Sequence, residues 1–294
     1  MLRFGYACYC SGLLNRGIHM STKVIARACV MILAFALGIA LFAAPAYAAT
    51  ETWDLAEDFL ARADSSGPVI QDADGSDVWY LKYSGTATNP AAFLPMTTWA
   101  TNYSWLVQPV PAGVMGWTVG AGGVPHISVN GTGGDLTSST SPVFTWPAGT
   151  VFTHPGPQAS ATAFSVIEWK SPVTGDAAVS VSLRDADVAG GGSGIDFWVL
   201  KNGTVLDSDS VAEGGTGSAS VADIEVAPGD SLYLVVGPGA LYFWDSTHVV
   251  DFGVTVETPD PVVSTPASSP WTLALMALIG LAAVPVIRRV RATA

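Results

Sequence analysis

The sequence predicts an all-β protein whose main part, residues 49–258, is one antiparallel β-sandwich or jelly-roll-like domain. Short runs rich in Val, Ile, Thr and aromatic residues alternate apolar with polar positions, as half-buried strands do. Gly, Pro, Asn and Asp separate these runs at regular spacing, which is typical of sandwiches. No long apolar stripe with helical period occurs in this span.

The strand prediction consists of twelve short segments and one turn. Strands are predicted clearly at Val78–Tyr83, Ala163–Lys170, Ala178–Arg184, Ile195–Lys201, Val205–Ser210, Ala219–Val226, Ser231–Val236 and Val249–Glu257, and less clearly at Ser104–Val107, Trp117–Val119, His126–Val129 and Val143–Trp146. Asn202-Gly203 predicts a tight hairpin between two of them. The single helix predicted is short, Asp54–Ala63, with Leu55, Phe59 and Leu60 on one side.

Residues 1–48 have the pattern of a signal peptide. Basic Lys23 and Arg27 precede an apolar run from Val30 to Phe42, which is too short to span a bilayer comfortably. Met20 opens an ordinary short basic region, so it is the expected true start. An uncleaved N-terminal anchor is the alternative.

Small residues mark the expected cleavage site. Ala46 and Ala48 form an A-x-A pattern, which makes Ala49 the first residue of the exported chain. Export machinery and a signal peptidase are the implied partners. The cysteines all lie upstream of this site, so the exported domain is expected to fold without disulfides.

The C-terminal segment predicts an anchor. A Pro/Ser/Thr-rich linker over residues 259–270 precedes residues 271–294, in which the apolar run Trp271–Ile287 is long enough for a short transmembrane helix. The basic residues Arg288, Arg289 and Arg291 are expected to stay on the cytoplasmic side.

This tail resembles the PEP-CTERM protein-sorting signal of exopolysaccharide-producing bacteria. Pro270, Thr272 and Leu273 match the start of that signal, and Arg288-Arg289 its basic end. Ser268-Ser269-Pro270 stands where the family has Pro-Glu-Pro. The resemblance implies processing by an exosortase-type enzyme, with a plain single-pass anchor as the alternative. Either way it implies the bacterial cell envelope, with the protein in the membrane or released to the cell surface or extracellular matrix.

Residues 72–257 resemble a sandwich module that recurs in secreted bacterial proteins. The motifs that carry this resemblance include His154-Pro155-Gly156, Lys201-Asn202-Gly203, Pro228-Gly229-Asp230 and Asp245-Ser246-Thr247. The resemblance implies the fold, the exported location and, by analogy alone, a carbohydrate-binding-like role.

Charge is distributed unevenly along the chain. The net charge is −12, but all 24 acidic residues and only five of the 12 basic ones lie in residues 51–260, which therefore carry −19. An acidic domain is unsuited to nucleic acid, since phosphate binding requires a basic surface. Strongly acidic polysaccharides are disfavoured for the same reason, unless calcium bridges them.

The sequence contains no recognisable catalytic motif. It has no G-x-S-x-G elbow, and its His126, His154 and His248 are not spaced as zinc ligands. A glycan hydrolase with an unidentified carboxylate pair remains an alternative. Glu168 is expected to face solvent near Lys170, because Ile167 and Trp169 take the opposite face of the strand.

Two groups of aspartates predict calcium sites. Asp72, Asp74 and Asp77 place carboxylates around a glycine turn, while Asp185, Asp187 and Asp196 flank a glycine-rich loop. The alternative is that these aspartates simply favour turns.

Aromatic residues in a predicted loop region are the ligand-binding candidates. Trp99, Tyr103 and Trp105 combine rings that can stack on sugars with the exposure that loops provide. The sequence thus predicts a non-enzymatic, envelope-associated protein that binds extracellular polysaccharide. A hydrolase, or an adhesion module that binds protein partners through a strand edge, are the alternatives.

Overall fold

Two antiparallel β-sheets face each other in the computed structural model, which describes residues 49–259 except 107, 121–122, 140–142, 159–160, 189–191 and 241–243. The predicted leader, nearly all of the predicted linker and the predicted membrane segment lie outside the described residues. Within the described part of the chain, no helix is both long and apolar enough to cross a bilayer.

The described residues form 18 strands and one α-helix. The strands are β1 Ala49–Asp54, β2 Val69–Gln71, β3 Asp77–Ser84, β4 Leu94–Pro95, β5 Thr98–Ala100, β6 Val114–Thr118, β7 His126–Asn130, β8 Leu136–Thr137, β9 Thr145–Trp146, β10 Val151–His154, β11 Gly156–Gln158, β12 Ala161–Lys170, β13 Gly175–Asp185, β14 Ile195–Lys201, β15 Thr204–Val211, β16 Thr216–Val226, β17 Ser231–Pro238 and β18 Thr247–Thr258. The helix α1 is Leu55–Arg62, and Pro90–Ala92 is a single 3-10 turn.

The strands form a sandwich of two eight-stranded sheets. The first sheet has the order β16-β13-β18-β10-β7-β6-β5, with β1 paired to β18 beside β10. The second has the order β15-β14-β17-β12-β3-β2, with β4 and β11 as short additions, and β8 pairs with β9 in a separate ribbon. The predicted all-β antiparallel sandwich is therefore confirmed.

Burial follows the alternation in the sequence. Along β13 every second side chain from Gly175 to Asp185 is buried, so the strand has one face in the core and one toward solvent. All eight residues of β17 are buried because both faces of this strand are covered.

Large aromatic rings fill the space between the sheets. The ring centroids of Trp53 and Trp169 lie 5.1 Å apart, and those of Trp79 and Phe252 lie 5.2 Å apart. Each pair joins one sheet to the other. Such buried pairs contribute about 0.5–1.5 kcal/mol beyond the burial of their apolar surface.

Helix α1 closes one side of this core. Its N-cap is Asp54, whose carboxylate accepts the backbone N–H of Glu57 at 2.8 Å. Leu55 and Phe59 are fully buried, and the Trp79 indole N–H donates to Asp58 at 2.9 Å. The helix predicted over Asp54–Ala63 is confirmed within one residue at each end.

The outer face of the second sheet is covered, which corrects the expectation for Glu168. This residue is only 2% exposed, because an apolar cluster that includes Phe93 and Tyr233 packs over that face. Its carboxylate is 2.5 Å from the Lys82 ammonium and accepts the Ser231 hydroxyl at 2.6 Å. Glu168 was predicted to face solvent, but it is buried and forms an ion pair with Lys82.

The strand prediction is accurate for the long strands and incomplete for the short ones. All eight clearly predicted strands exist, each extended by up to three residues at an end, and Asn202-Gly203 forms the predicted hairpin between β14 and β15. The predicted strand Ser104–Val107 is wrong over its described residues, which form a turn with an isolated bridge between Leu106 and Ser138.

Candidate functional site

A cavity of about 450 Å³ opens at the edge of the first sheet, where β5 ends. Its described lining comes from β5, β6, the loop that follows β5 and the β6–β7 loop, and comprises Thr98, Ala100, Asn102, Tyr103, Ser104, Trp105, Gln108, Thr118, Gly120 and Gly123. The volume falls within the range of about 300–1,000 Å³ common for small-molecule sites. An edge strand and two loops thus form a candidate site.

Buried Tyr103 holds the loop that follows β5. Its hydroxyl is 2.5 Å from the Ser128 hydroxyl on β7, and its backbone carbonyl accepts the Gln108 side-chain amide at 2.9 Å. Burial raises the pKa of Tyr103 well above its ordinary value, so the phenol stays neutral. The loop is therefore fixed to the sheet rather than free.

Trp105 packs against a layer of aromatic rings. Its ring centroid lies 5.3 Å from those of Tyr103 and Phe152, and 5.5 Å from that of His126. The side chain is half-buried, so part of it faces the cavity while the rest is supported by this layer. A supported ring is already ordered before a ligand arrives, which lowers the entropic cost of binding.

The third predicted aromatic lies elsewhere. Trp99 is on β5 and pairs across the strands with Trp117, at 5.6 Å between ring centroids and 64° between ring planes. It packs against the core and is absent from the cavity lining. The structure therefore brings Tyr103 and Trp105 together and separates Trp99 from them.

Neutral polar groups complete the cavity. Asn102, Ser104 and Gln108 are exposed at its rim, and Thr98 is half-buried beside them. The described lining contains no carboxylate, histidine, lysine or arginine. It offers amides and hydroxyls for hydrogen bonds, but no group with the acid–base strength that hydrolysis requires.

His126 and His248 are buried and His154 is half-buried, and the His126 ring contacts the cavity-lining rings of Tyr103 and Trp105. Burial lowers the pKa of His126 to about 3 and that of His248 to about 4, so both are neutral at ordinary pH. His154 stacks on His126 at 6.1 Å, and burial lowers its pKa as well. All three act as packed rings, and none lines the cavity.

A smaller cavity of about 250 Å³ lies near the β8–β9 ribbon. Leu106, Pro109, Pro111 and Leu136 form its apolar walls, with Thr137 and one carboxylate, Asp135. That carboxylate accepts the backbone N–H of Ala148 at 3.0 Å. A lone, engaged carboxylate does not supply the facing pair that glycoside hydrolysis uses.

The aspartates of the first predicted calcium site have other partners. One oxygen of Asp72 accepts the backbone N–H groups of Asp74 and Ser76, and the other accepts the Trp53 indole N–H at 2.9 Å. Asp77 accepts the Gln71 side-chain amide at 3.0 Å. In this turn the carboxylates hold the backbone and the core, and only Asp74 remains exposed without such a partner.

The aspartates of the second predicted calcium site also accept hydrogen bonds from other groups of the protein. Asp187 accepts the backbone N–H of Ser246 at 2.8 Å, and Asp196 accepts the Ser210 hydroxyl at 2.5 Å. Asp185 is fully buried and keeps one oxygen without a hydrogen-bond partner. Within the described ranges, no three His, Cys, Asp or Glu side chains form a group that could hold a metal ion.

Sequence reasoning missed the polar half of the cavity and two carboxylates near Asp185. Asn102 and Ser104 flank Tyr103 in the chain, so their proximity to the predicted aromatics was a usable signal. Glu213 and Asp245 approach Asp185 only through the sheet topology. Asp245 belongs to the motif Asp245-Ser246-Thr247, but that motif does not indicate a group of carboxylates.

Comparisons with known proteins give no family. No family model matches the chain, and no curated protein matches it. Solved structures match only weakly. The CBM51 of Clostridium perfringens GH95 in complex with methyl-galactose is 15% identical, with a TM-score of 0.29 over 55% of this chain and 94% of that one. A family 35 carbohydrate binding module from Clostridium thermocellum is 14% identical, with a TM-score of 0.24 over 41% of this chain and 86% of that one.

A protein of a different kind matches equally weakly. The apo form of a cyclase from Fischerella sp. is 10% identical, with a TM-score of 0.31 over 71% of this chain and 98% of that one. At this level of similarity the matches do not bear on function. Function must therefore be argued from the residues of the chain itself.

Proposed function

We propose that this chain is an exported, envelope-associated and non-enzymatic protein that binds neutral extracellular polysaccharide in the cavity beside Trp105. The observation that carries the proposal is the composition of that cavity. A supported indole ring meets exposed amides and hydroxyls there, with no carboxylate, histidine, lysine or arginine in the described lining. Sugar rings present an apolar face and a rim of hydroxyls, and this lining complements both.

The charge of the domain supports a neutral ligand. Residues 51–260 carry −19, so an anionic polymer is repelled on approach. A neutral sugar does not meet this repulsion. Hydrogen bonds to the Asn102 amide and to the side-chain amide oxygen of Gln108 would then fix its orientation, while the Trp105 ring would supply the apolar contact.

The envelope location belongs to the same proposal. It rests on the leader expected over residues 1–48 and on the PEP-CTERM-like tail at 271–294. Signal peptidase, and an exosortase-type enzyme or a plain membrane anchor, would process or hold the chain. The antiparallel pairing of Ala49 with Thr258 places both ends of the domain side by side, which suits a domain tethered at one end.

Binding can be tested on the full chain, purified in mild detergent. Titration with neutral oligosaccharides, followed by calorimetry and Trp fluorescence, is expected to show saturable binding without release of reducing ends. Asn102→Ala is expected to weaken binding about tenfold, since one ligand hydrogen bond to an exposed amide is lost. Asn89→Ala is the matched control, because Asn89 is also exposed and makes no side-chain capping bond.

Trp105→Ala provides the second variant. Loss of the indole is expected to abolish measurable binding, and circular dichroism reports whether the sandwich remains folded. Release of reducing sugar by the unaltered protein would overturn the non-enzymatic part of the proposal and favour a hydrolase. Equal affinities for the unaltered protein and both cavity variants would remove the cavity as the binding site.

A further inference from the structure

Three carboxylates from distant parts of the chain meet at one end of the sandwich. Asp185 is the last residue of β13, Glu213 lies in the β15–β16 turn, and Asp245 lies two residues before β18. Backbone hydrogen bonds hold these segments together, because the Asp185 N–H donates to the Gly215 carbonyl at 3.0 Å and the N–H of Ala186, just after β13, donates to the Ser246 carbonyl at 2.7 Å. The two turns are therefore attached directly to the end of β13.

The oxygens of these carboxylates are enclosed but have no hydrogen-bond partners. Asp185 and Asp245 are both 0% exposed. One oxygen of Asp185, both of Asp245 and both of Glu213 are buried without a donor. Asp245 is thus a completely buried side chain whose two acceptor atoms have no partner and whose charge interacts unfavourably with Asp185 and Glu213.

Among the residues that the structure describes, no ion pair neutralises this region. The ion pairs of the described residues join Arg62 to Asp58, Lys82 to Glu168 and Lys201 to Asp230, and none reaches Asp185 or Asp245. An isolated buried carboxylate is strongly unfavourable unless it is paired, protonated or bound to a metal ion. The arrangement therefore requires either protons or a cation.

We propose that Asp185 and Asp245 bind a calcium-type divalent cation, with Glu213 contributing negative potential beside it. Calcium accepts backbone carbonyl and water oxygens together with carboxylates, so two charged ligands satisfy its charge without a third acidic ligand. Asp187 and Asp196 are not ligands in this proposal, since Ser246 and Ser210 already donate to them.

The electrostatics of the cluster agree with this assignment. Burial, followed by the neighbouring carboxylates, raises the pKa of Asp245 to about 8, and no group near it lowers that pKa. Burial likewise raises the pKa of Asp185 to about 7. At pH 8 and above a cation would replace these protons, whereas at pH 5 the protons would compete with it.

The test uses the full chain, freed of metal with EGTA and studied at pH 8. Calcium chloride at 1 mM is expected to raise the Tm by on the order of 5 °C. Terbium is a luminescent substitute for calcium, and Trp244, next to Asp245 in the chain, is available to sensitise its emission. Calcium should then displace the bound terbium.

Two variants locate the site. Asp245→Asn is expected to abolish the calcium-dependent rise and to raise the Tm in EGTA, because it removes an unneutralised charge. Asp74→Asn, at an exposed aspartate of the other predicted group, is expected to change neither. Asp185→Asn is the second cluster variant if the first does not fold.

The proposal is overturned if the unaltered protein shows no rise in Tm and no terbium emission up to 10 mM cation. It is equally overturned if Asp245→Asn keeps the rise, if Asp74→Asn loses it, or if magnesium gives the same rise as calcium. Oligosaccharide binding is measured separately, so failure of one proposal leaves the other intact.

Discussion

The buried ring of His126 makes a specific prediction about acid stability. The side chain is fully buried, and neither ring nitrogen has a hydrogen-bond partner. Burial, and secondarily the charge of His154, lower its pKa to about 3, against about 6.5 for an unfolded chain. Between these two values the unfolded state binds a proton that the folded state does not bind, so folding becomes less favourable as the pH falls.

The magnitude follows from the two pKa values. Each pH unit below 6.5 removes up to about 1.4 kcal/mol from the free energy of unfolding, so a fall to pH 4.5 removes about 2.7 kcal/mol. His126→Phe keeps an aromatic ring among Tyr103, Trp105 and Phe152 but removes the titration. At pH 7.5 the free energy of unfolding of the variant is expected to be close to that of the unaltered protein. The substitution removes two buried nitrogens that lack hydrogen-bond partners, which is favourable, but it adds a slightly larger ring, which is unfavourable.

The assay is urea unfolding of both proteins between pH 7.5 and 4.5. Other groups that titrate are common to both, so the difference in unfolding free energy isolates His126. It should stay constant above pH 7 and then grow in favour of the variant as the solution becomes more acidic. A difference that does not change with pH across this range would refute the reasoning.

Three further substitutions test other parts of the fold by thermal or urea unfolding. Lys82→Ala should destabilise the protein by about 3 kcal/mol because it leaves Glu168 charged and buried, and Glu168→Gln in the same chain should restore part of the loss. Gly203→Ala should cost about 1–2 kcal/mol, since its φ is +98° and a side chain there is strained, whereas Gly85→Ala should be nearly neutral. Asp54→Ala should cost about 1 kcal/mol through loss of the helix cap, and a loss below about 0.3 kcal/mol would contradict that role.

The long strands could be predicted because each of them carries enough alternating positions to reveal its period. Short strands such as β2 and β5 have only three residues, too few to show a period of two. β1 was not predicted because Ala49–Asp54 contains a single large apolar side chain, that of Trp53, which is too little to reveal an alternating pattern.

The candidate sites show a second limit of local patterns. Alternation correctly placed Glu168 on the face opposite Ile167, but the cluster that covers its face includes Phe93 and Tyr233, which are distant from it in the chain in either direction. Asp245 likewise lies near Asp185, which is 60 positions earlier in the chain, because the sheet topology brings the two together. Composition indicates which residue types can build a site, while long-range topology decides which of them meet.

The position of β18 has a mechanical consequence. This 12-residue strand lies inside the first sheet, hydrogen-bonded to β13 along one side and to β1 and β10 along the other. Tension that reaches the domain through the chain following Thr258 would pull along the strand axis, perpendicular to these hydrogen bonds. Many bonds would then share the load in shear instead of opening one at a time. A domain pulled through β18 would therefore resist mechanical unfolding.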